Sequence, residues 1–352
     1  MKQWLTRLFG GAATAAPAQT TPSHSIPAPA SHPRAAPSPD AAAAAGASAP
    51  ASDSAAAPHV DLAFFRWLTD PVRGDADARA EAGILAELAR LARDPAAAGA
   101  LVPRVPAVVP QLLKSLRDDS VSSGELARQI ARDAVLVAEV IREANSPYFR
   151  SGRPITTIDG AVMVLGENGL RILLARVAFR PVINMQGGRA ADRIVRLVAP
   201  RLWLHADACA LAASLLAPEL GADPFEAYLT GLVQNVGLLV AFRLIEQLGH
   251  PVVPQSDAFC AALLDGARDL SAGIAAHWEL PPFAAAAIVR AGRPASSLTA
   301  RPLAEALGRA DLLAKLRLLL DAGVFGAGDA PLPALLAGPA QKYFERLGNR
   351  EG

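Results

Sequence analysis

The sequence is poor in the residues that build covalent or metal-bound scaffolds. Its 352 residues include two cysteines, Cys209 and Cys260, which excludes a disulfide framework and a thiolate zinc site. Histidine is scarce too, at six. His24, His32 and His59 fall in or beside a Pro/Ala stretch that reads as unfolded. Only His205, His250 and His277 then remain for a folded body, so a multi-histidine metallohydrolase centre would need nearly all of them to converge. No charge of either sign predominates: 34 Lys+Arg against 33 Asp+Glu give a formal net charge of +1. Nucleic-acid and anionic-membrane binders draw their affinity from a basic surplus, so both are disfavoured as partners. Lysine occurs only at Lys2, Lys114, Lys315 and Lys342, the other basic residues being arginine. With abundant alanine, this bias suggests a GC-rich bacterial genome.

Long apolar runs are missing as well. A bilayer span needs roughly 20 apolar residues. The best candidate, Leu229–Phe242 (LTGLVQNVGLLVAF), carries Gln234 and Asn235 at its centre and reads as a core helix. Stable membrane insertion is therefore not expected, and the cytoplasm is the expected location. The start, MKQWLTRLFG, places Trp4, Leu5, Leu8 and Phe9 on one helical face, but Arg7 and Gly10-Gly11 interrupt any secretory core. It reads either as a frayed end or as a short docking peptide carried by those four residues. Neither a Walker A motif nor a dinucleotide fingerprint is present, and Ser214 lacks a G-x-S-x-G context.

What is present is helical periodicity. Residues 1–58 are mostly Ala, Pro, Ser and Thr and bury too little to offset their ordering entropy, so they read as a disordered tether. Residues 59–100 form a helical lead-in, with a short helix over Asp61–Leu68 and another over Ala76–Arg93. From Leu101 on, helix follows helix. One is predicted over Pro106–Arg117, one opens at a Ser122/Glu125 capping box, and one is capped at Asp133 and ends at Asn145. Gly166 breaks the helix that starts at Thr157, and Gly187-Gly188 divides two helical lobes. Pro200 is expected to restart a helix that runs to Ala217. Further helices are predicted from Pro224 to about Leu248, and over Ser256–Asp265, Leu270–Glu279, Pro282–Ala291, Leu303–Leu320 and Pro333–Leu347. No stretch alternates at period two long enough for a sheet. The fold class is all-α.

Several ordered segments are familiar together. LVPRVPAVVPQLLKSLRD (Leu101–Asp118), ELARQIARDAVLVAEVIREANSPYF (Glu125–Phe149) and RPITTIDGAVMVLGENGLRILL (Arg153–Leu174) resemble the first half of the HDOD domain. LWLHADACALAASLLAPELG (Leu202–Gly221), AYLTGLVQNVGLLV (Ala227–Val240) and HWELPPFAAAAI (His277–Ile288) resemble its second half. The resemblance implies an HDOD domain over 101–295, followed by C-terminal helices at 296–352 that pack on it. It also implies descent from metal-dependent HD phosphohydrolases, with hydrolysis lost and a role in bacterial signalling gained.

In catalytic HD proteins an early His, a His-Asp pair and a late Asp hold divalent metal. By resemblance, His205 matches the early His, Gln234-Asn235 stand at the His-Asp pair, and Asp311 is the match for the late Asp. A neutral amide is a poor ligand beside imidazole or carboxylate. One His and one carboxylate fall short of the three protein ligands that such sites use. No metal, no cofactor and no catalytic residue are therefore expected. Gln234 and Asn235 are read as mid-helix residues bordering one pocket, where His205, Asn235 and Asp311 would form a hydrogen-bonded pin in place of the ion. A second reading of that degenerate pocket is a site for a small nucleotide ligand.

Other features have plainer readings. Trp278 anchors helix packing, and Cys209 and Cys260 are small core residues. Arg171, Arg176 and Arg180 make a solvated face. The function expected is a non-enzymatic signalling or scaffold protein that binds protein partners. The alternatives are a metal-dependent phosphohydrolase acting on nucleotides, and a nucleotide or cyclic-dinucleotide receptor without turnover.

Overall fold

A computed structural model of the chain describes residues 52–75, 77–94, 97–98, 101, 124, 127–128, 131, 134–145, 154–183, 192–291, 301–329, 332–336 and 339–348. Among these residues the fold is all-α. The one exception is an isolated bridge between Arg73 and Val253. The predicted helix at Pro106–Arg117, the Ser122/Glu125 box, Gly187-Gly188 and the tether before Ser52 lie outside the described residues.

Helix α1 (Ser52–Thr69) leads through a short 3-10 turn to α2 (Ala78–Ala92). Asp77 caps α2 by accepting from the backbone N–H groups of Arg79 and Ala80, and Ile84, Leu88 and Leu91 are its buried stripe. Helices α3 (Ala134–Ala144) and α4 (Ile158–Ile183) pack on each other. Asn145 joins them: its amide donates to the carbonyls of Ile141 and Ile155 and accepts from Ile155 N–H at 2.8 Å. Gly166 (φ 62°, ψ −173°) breaks α4 where the sequence predicts a break.

Helix α5 (Arg193–Leu220) is the central rod, with α6 (Pro224–Val233) and α10 (Arg301–Asp321) packed most extensively on it. Ala206, Ala208, Cys209, Ala210, Ala212 and Ala213 are buried in α5, so neighbouring backbones come close. A Cβ on Gly231 would stand 2.8 Å from Ala210 Cα. Helix α7 (Val236–Gln247) lies against α8 (Asp257–His277), and Gly237 is the point of approach: a Cβ there would meet Ala267 O at 2.0 Å. Helices α9 (Pro282–Arg290), α11 (Leu332–Leu335) and α12 (Pro339–Gly348) complete the body.

Several boundaries differ from the sequence reading. Helix α1 begins at Ser52, inside the expected tether, and His59 is helical, stacked on Phe325 at 6.0 Å between ring centroids. Pro200 does not restart α5. It sits on the exposed face, where water can satisfy the carbonyl that a proline leaves without its helical donor. The two helices expected around Gly266 are one: α8 runs through Gly266, where a Cβ would lie 2.7 Å from the mobile end of Leu88. The last predicted helix is split into α11 and α12.

The expected helix from Pro224 to about Leu248 is broken at Gln234–Asn235, between α6 and α7. Pro224–Gln247 is long and apolar enough overall to cross a membrane, but 89% of its most apolar window is buried inside the protein. Such burial is what a core helix pair shows.

Candidate functional site

The site forms where α5, α10, α1 and the α6–α7 junction meet. The junction matters first. Asn235 (φ −110°, ψ 15°) occupies the N-cap position of α7, yet its side chain makes no capping bond. It turns inward instead, and Asn235 Nδ2 donates to His205 Nδ1 at 2.9 Å. That bond leaves the proton of a neutral imidazole on Nε2. Nε2 lies 3.1 Å from Asp311 Oδ1, within contact range but without the alignment of a ring N–H hydrogen bond. Gln234 Nε2 donates to the same oxygen at 3.2 Å and abuts Cys209 Sγ. His205, Gln234, Asn235 and Asp311 thus converge, although the two amides sit at a helix break rather than mid-helix. The break frees both side chains from the fixed spacing of a continuous helix.

Three further participants went unrecognised in the sequence. Lys315 is one turn beyond Asp311 on α10, and only 3% of its surface is exposed. Its ammonium bridges two carboxylates, donating to Asp311 Oδ2 and, at 2.6 Å, to Asp61 Oδ1 on α1. Phe64, one turn after Asp61, is wholly buried against the His205 ring at 4.6 Å between centroids. Lys315 Nζ also lies 5.4 Å from the Phe64 centroid, within cation–π range. The scarcity of lysine was visible in the sequence; that one lysine is buried between acids was not, because α1 and α10 are distant in the chain.

Electrostatics follow from this packing. Burial alone would raise the Asp311 carboxyl. The Lys315 ammonium and the His205 ring outweigh it and hold Asp311 well below the usual carboxylate range. Burial alone would lower Lys315, and Asp311 and Asp61 outweigh that, pushing it above the ordinary ammonium value. Burial, with the Asp311 charge adding to it, raises the Cys209 thiol far above its usual value, so it stays protonated.

These residues do not fit a divalent metal. The donors are one imidazole, two neutral amides and one carboxylate that already holds an ammonium. Among the described residues no group of three His, Cys, Asp or Glu side chains converges as a metal site would require. The arrangement can bear structure and fix charge. Asp311 is already held by Lys315, and the Cys209 thiol stays protonated.

The remaining candidates are scattered. Trp4, Leu5, Leu8 and Phe9 lie outside the described residues. The arginines expected on one solvated face diverge. Arg180 is exposed, but Arg176 is largely buried in a two-pronged pair with Asp207, Nε–Oδ1 2.8 Å and Nη2–Oδ2 3.0 Å. Asp207 lies on α5 and is itself buried, so it draws the guanidinium inward. Trp278 packs near Phe179, centroids 5.9 Å apart, as an internal anchor.

The HDOD domain family model matches residues 102–294. Among solved structures, a provisionally named metal-dependent phosphohydrolase from Shewanella amazonensis SB2B is 19% identical with a TM-score of 0.54, covering 78% of this chain and 100% of its own. A provisionally named phosphohydrolase from the same organism is 22% identical with a TM-score of 0.50, covering 75% of this chain and 94% of its own. An HDOD domain protein of unknown function from Geobacter sulfurreducens is 20% identical with a TM-score of 0.49, covering 82% and 89%. Likeness at these identities establishes the fold alone. No curated protein matches the chain.

Proposed function

The chain belongs to the HDOD domain family, and on that footing we propose that it is a non-enzymatic bacterial signal-transduction or scaffold protein. It acts in the cytoplasm by binding other proteins. The observation that carries this reading is the chemistry of one pocket. By the family resemblance, Gln234 and Asn235 stand where a metal-dependent relative would present His and Asp, and Asp311, the carboxylate beside them, is closed by Lys315. Metal-assisted hydrolysis requires an ion that activates water and withdraws charge from a phosphoryl oxygen. These side chains supply neither the ligand count nor the negative charge to hold that ion.

A nucleotide receptor is a weaker reading of the same pocket. Phe64 and His205 are each 0% exposed and lie in ring contact. A nucleotide could enter there only by displacing α1.

The test is direct. Purified full-length chain is analysed for transition metals and assayed for release of p-nitrophenol from bis(p-nitrophenyl) phosphate with added Mn2+. The expected result is no stoichiometric metal and no turnover above a denatured control. About one tightly held metal per chain, with turnover lost in Asp311→Ala, would overturn the non-enzymatic reading. Recognition is tested by affinity capture from the host with the full chain and with residues 1–51 removed, which leaves α1 whole. A defined partner retained by the truncated chain places binding in the helical body, whereas partner loss on truncation places it in the tether.

A further inference from the structure

We propose that Lys315 is a resident cation: its ammonium takes the electrostatic place of the metal ion in this pocket and fastens α1 across the pocket mouth. The proposal does not depend on any partner, since its readouts are stability and exchange.

Three observations carry it. The first is position. A divalent ion in an HD-type pocket would bind the late carboxylate, and here Asp311 Oδ2 is occupied by Lys315 Nζ while Oδ1 faces His205 Nε2 and Gln234 Nε2. Both edges of the carboxylate are taken by side chains of this chain. The second is burial. An ammonium 3% exposed is tolerated only where charged partners replace its hydration, and Asp311 and Asp61 both do so. The third is reach. Asp61 and Phe64 lie on a helix that precedes the matched family segment, and Asp311 and Lys315 on one that follows it. One ammonium therefore ties the two flanking helices to each other, and Asp311 carries that tie to His205 and Gln234 in the matched segment. Phe64 then seals the pocket over His205, with Lys315 Nζ 5.4 Å from its ring centroid.

The roles of charge and of packing separate with two variants and one control. Lys315→Met keeps most of the side-chain volume and removes the charge. Asp311→Asn combined with Lys315→Met removes the opposing charge as well. Melting temperature and amide exchange over residues 59–69 are measured for both and for wild type. Lys315→Met is expected to melt roughly 6–10 °C lower, the scale of a broken buried pair. Its α1 amides should exchange at least about tenfold faster, since opening of α1 becomes easier. The double variant should regain a substantial part of the loss. Wild type should melt at the same temperature with EDTA or with millimolar Mn2+. An unchanged melting temperature and unchanged α1 exchange in Lys315→Met would overturn the proposal. So would a wild-type melting temperature that falls with EDTA. If Lys315→Met does not fold, the double variant decides: recovery of folded protein supports the charge role, and failure to recover it refutes that role.

Discussion

Phe64 lies against His205 with ring centroids 4.6 Å apart. His205 is inside the segment that matches the family model and Phe64 precedes it. The pocket of the domain is therefore completed by sequence outside the domain. The flanking helices are structural parts of the site: α1 contributes Asp61 and Phe64, and α10 contributes Asp311 and Lys315. Arg201 strengthens the same junction, bonding Trp67 O and stacking over the Trp67 ring at 5.2 Å.

Truncating Phe64 should therefore be costly although it lies outside the matched segment. Phe64→Ala removes a wholly buried ring between His205, Trp67 and Lys315. The expected loss is about 3–5 kcal/mol, from burial and the cavity left behind. Met163→Ala, at a residue 87% exposed, should change stability by less than about 0.5 kcal/mol. Equilibrium urea unfolding of both variants checks the contrast. A loss below 1 kcal/mol for Phe64→Ala, on the order of a surface change, would show that α1 is not part of the cooperative unit.

The charges of Asp311 and Lys315 set limits at both ends of the pH scale. The folded-state value of Asp311 is depressed, so its contribution is full above the unfolded value of about 3.9 and is lost as pH falls below it. The folded-state value of Lys315 is raised, so its contribution is full below about 10.4 and is lost as pH rises beyond it. Melting temperature measured against pH should show the advantage of wild type over Asp311→Asn steady at neutral pH and shrinking below about pH 4. An advantage that stays constant from pH 7 to pH 3 would mean that the carboxylate charge contributes nothing.

Part of this site was legible in the sequence. The resemblance led to an expected convergence of His205, Asn235 and Asp311, and the three side chains do meet. Lys315 and Asp61 were not legible: a lysine on an amphipathic helix reads as solvated until its tertiary neighbours are known. Helix boundaries failed where tertiary contacts override local signals. Gly266 lies inside an unbroken α8 packed against Leu88, and Pro200 is accommodated on an exposed face. The break at Gln234–Asn235 is set by what these amides bond, and helical spacing holds no record of that.

The two cysteines should be inert in the native protein. Burial pushes Cys260 up to about 11, and burial together with the Asp311 charge raises Cys209 well above its ordinary value. The thiolate is the reactive form. At pH 8, a thiol-reactive disulfide reagent should label neither residue on the timescale that labels both after denaturation. Rapid native labelling at Cys209 would show that the pocket opens to solvent.

Gly237 is the tightest helix contact among the glycines described. A Cβ there would stand 2.0 Å from Ala267 O and 2.8 Å from Ser271 N and Oγ. It would also disturb the bond that Gly237 N–H donates to Ser271 Oγ at 2.8 Å. Gly237→Ala should cost at least about 3 kcal/mol, at or above the usual range for overpacking. Gly273→Ala, which meets nothing within 4 Å, should be neutral or stabilising through helix propensity. Parallel thermal unfolding compares them, and equal effects would mean that α7 can move away from α8 without loss.

The amides and the ammonium together make a stronger prediction about metal. Gln234 Nε2 lies 3.2 Å from Asp311 Oδ1, and Asn235 Nδ2 lies 2.9 Å from His205 Nδ1. Asn235 borders His205 at Nδ1, and Gln234 borders Asp311 on the Nε2 side of the same ring. Gln234→His with Asn235→Asp would give the pocket two imidazoles and two carboxylates, above the three ligands a metal site needs. With Lys315 still on Asp311 Oδ2, an incoming divalent ion would meet an ammonium of like charge in a low-dielectric pocket, where repulsion is weakly screened. The double variant should therefore bind Mn2+ or Zn2+ weakly, and adding Lys315→Ala should bring uptake to about one ion per chain. Equilibrium dialysis followed by elemental analysis reads the difference. Tight binding by the double variant alone would show that Lys315 is no barrier. Absence of binding in the triple variant would show that the pocket lacks the coordination geometry for an ion even when the ligands are supplied.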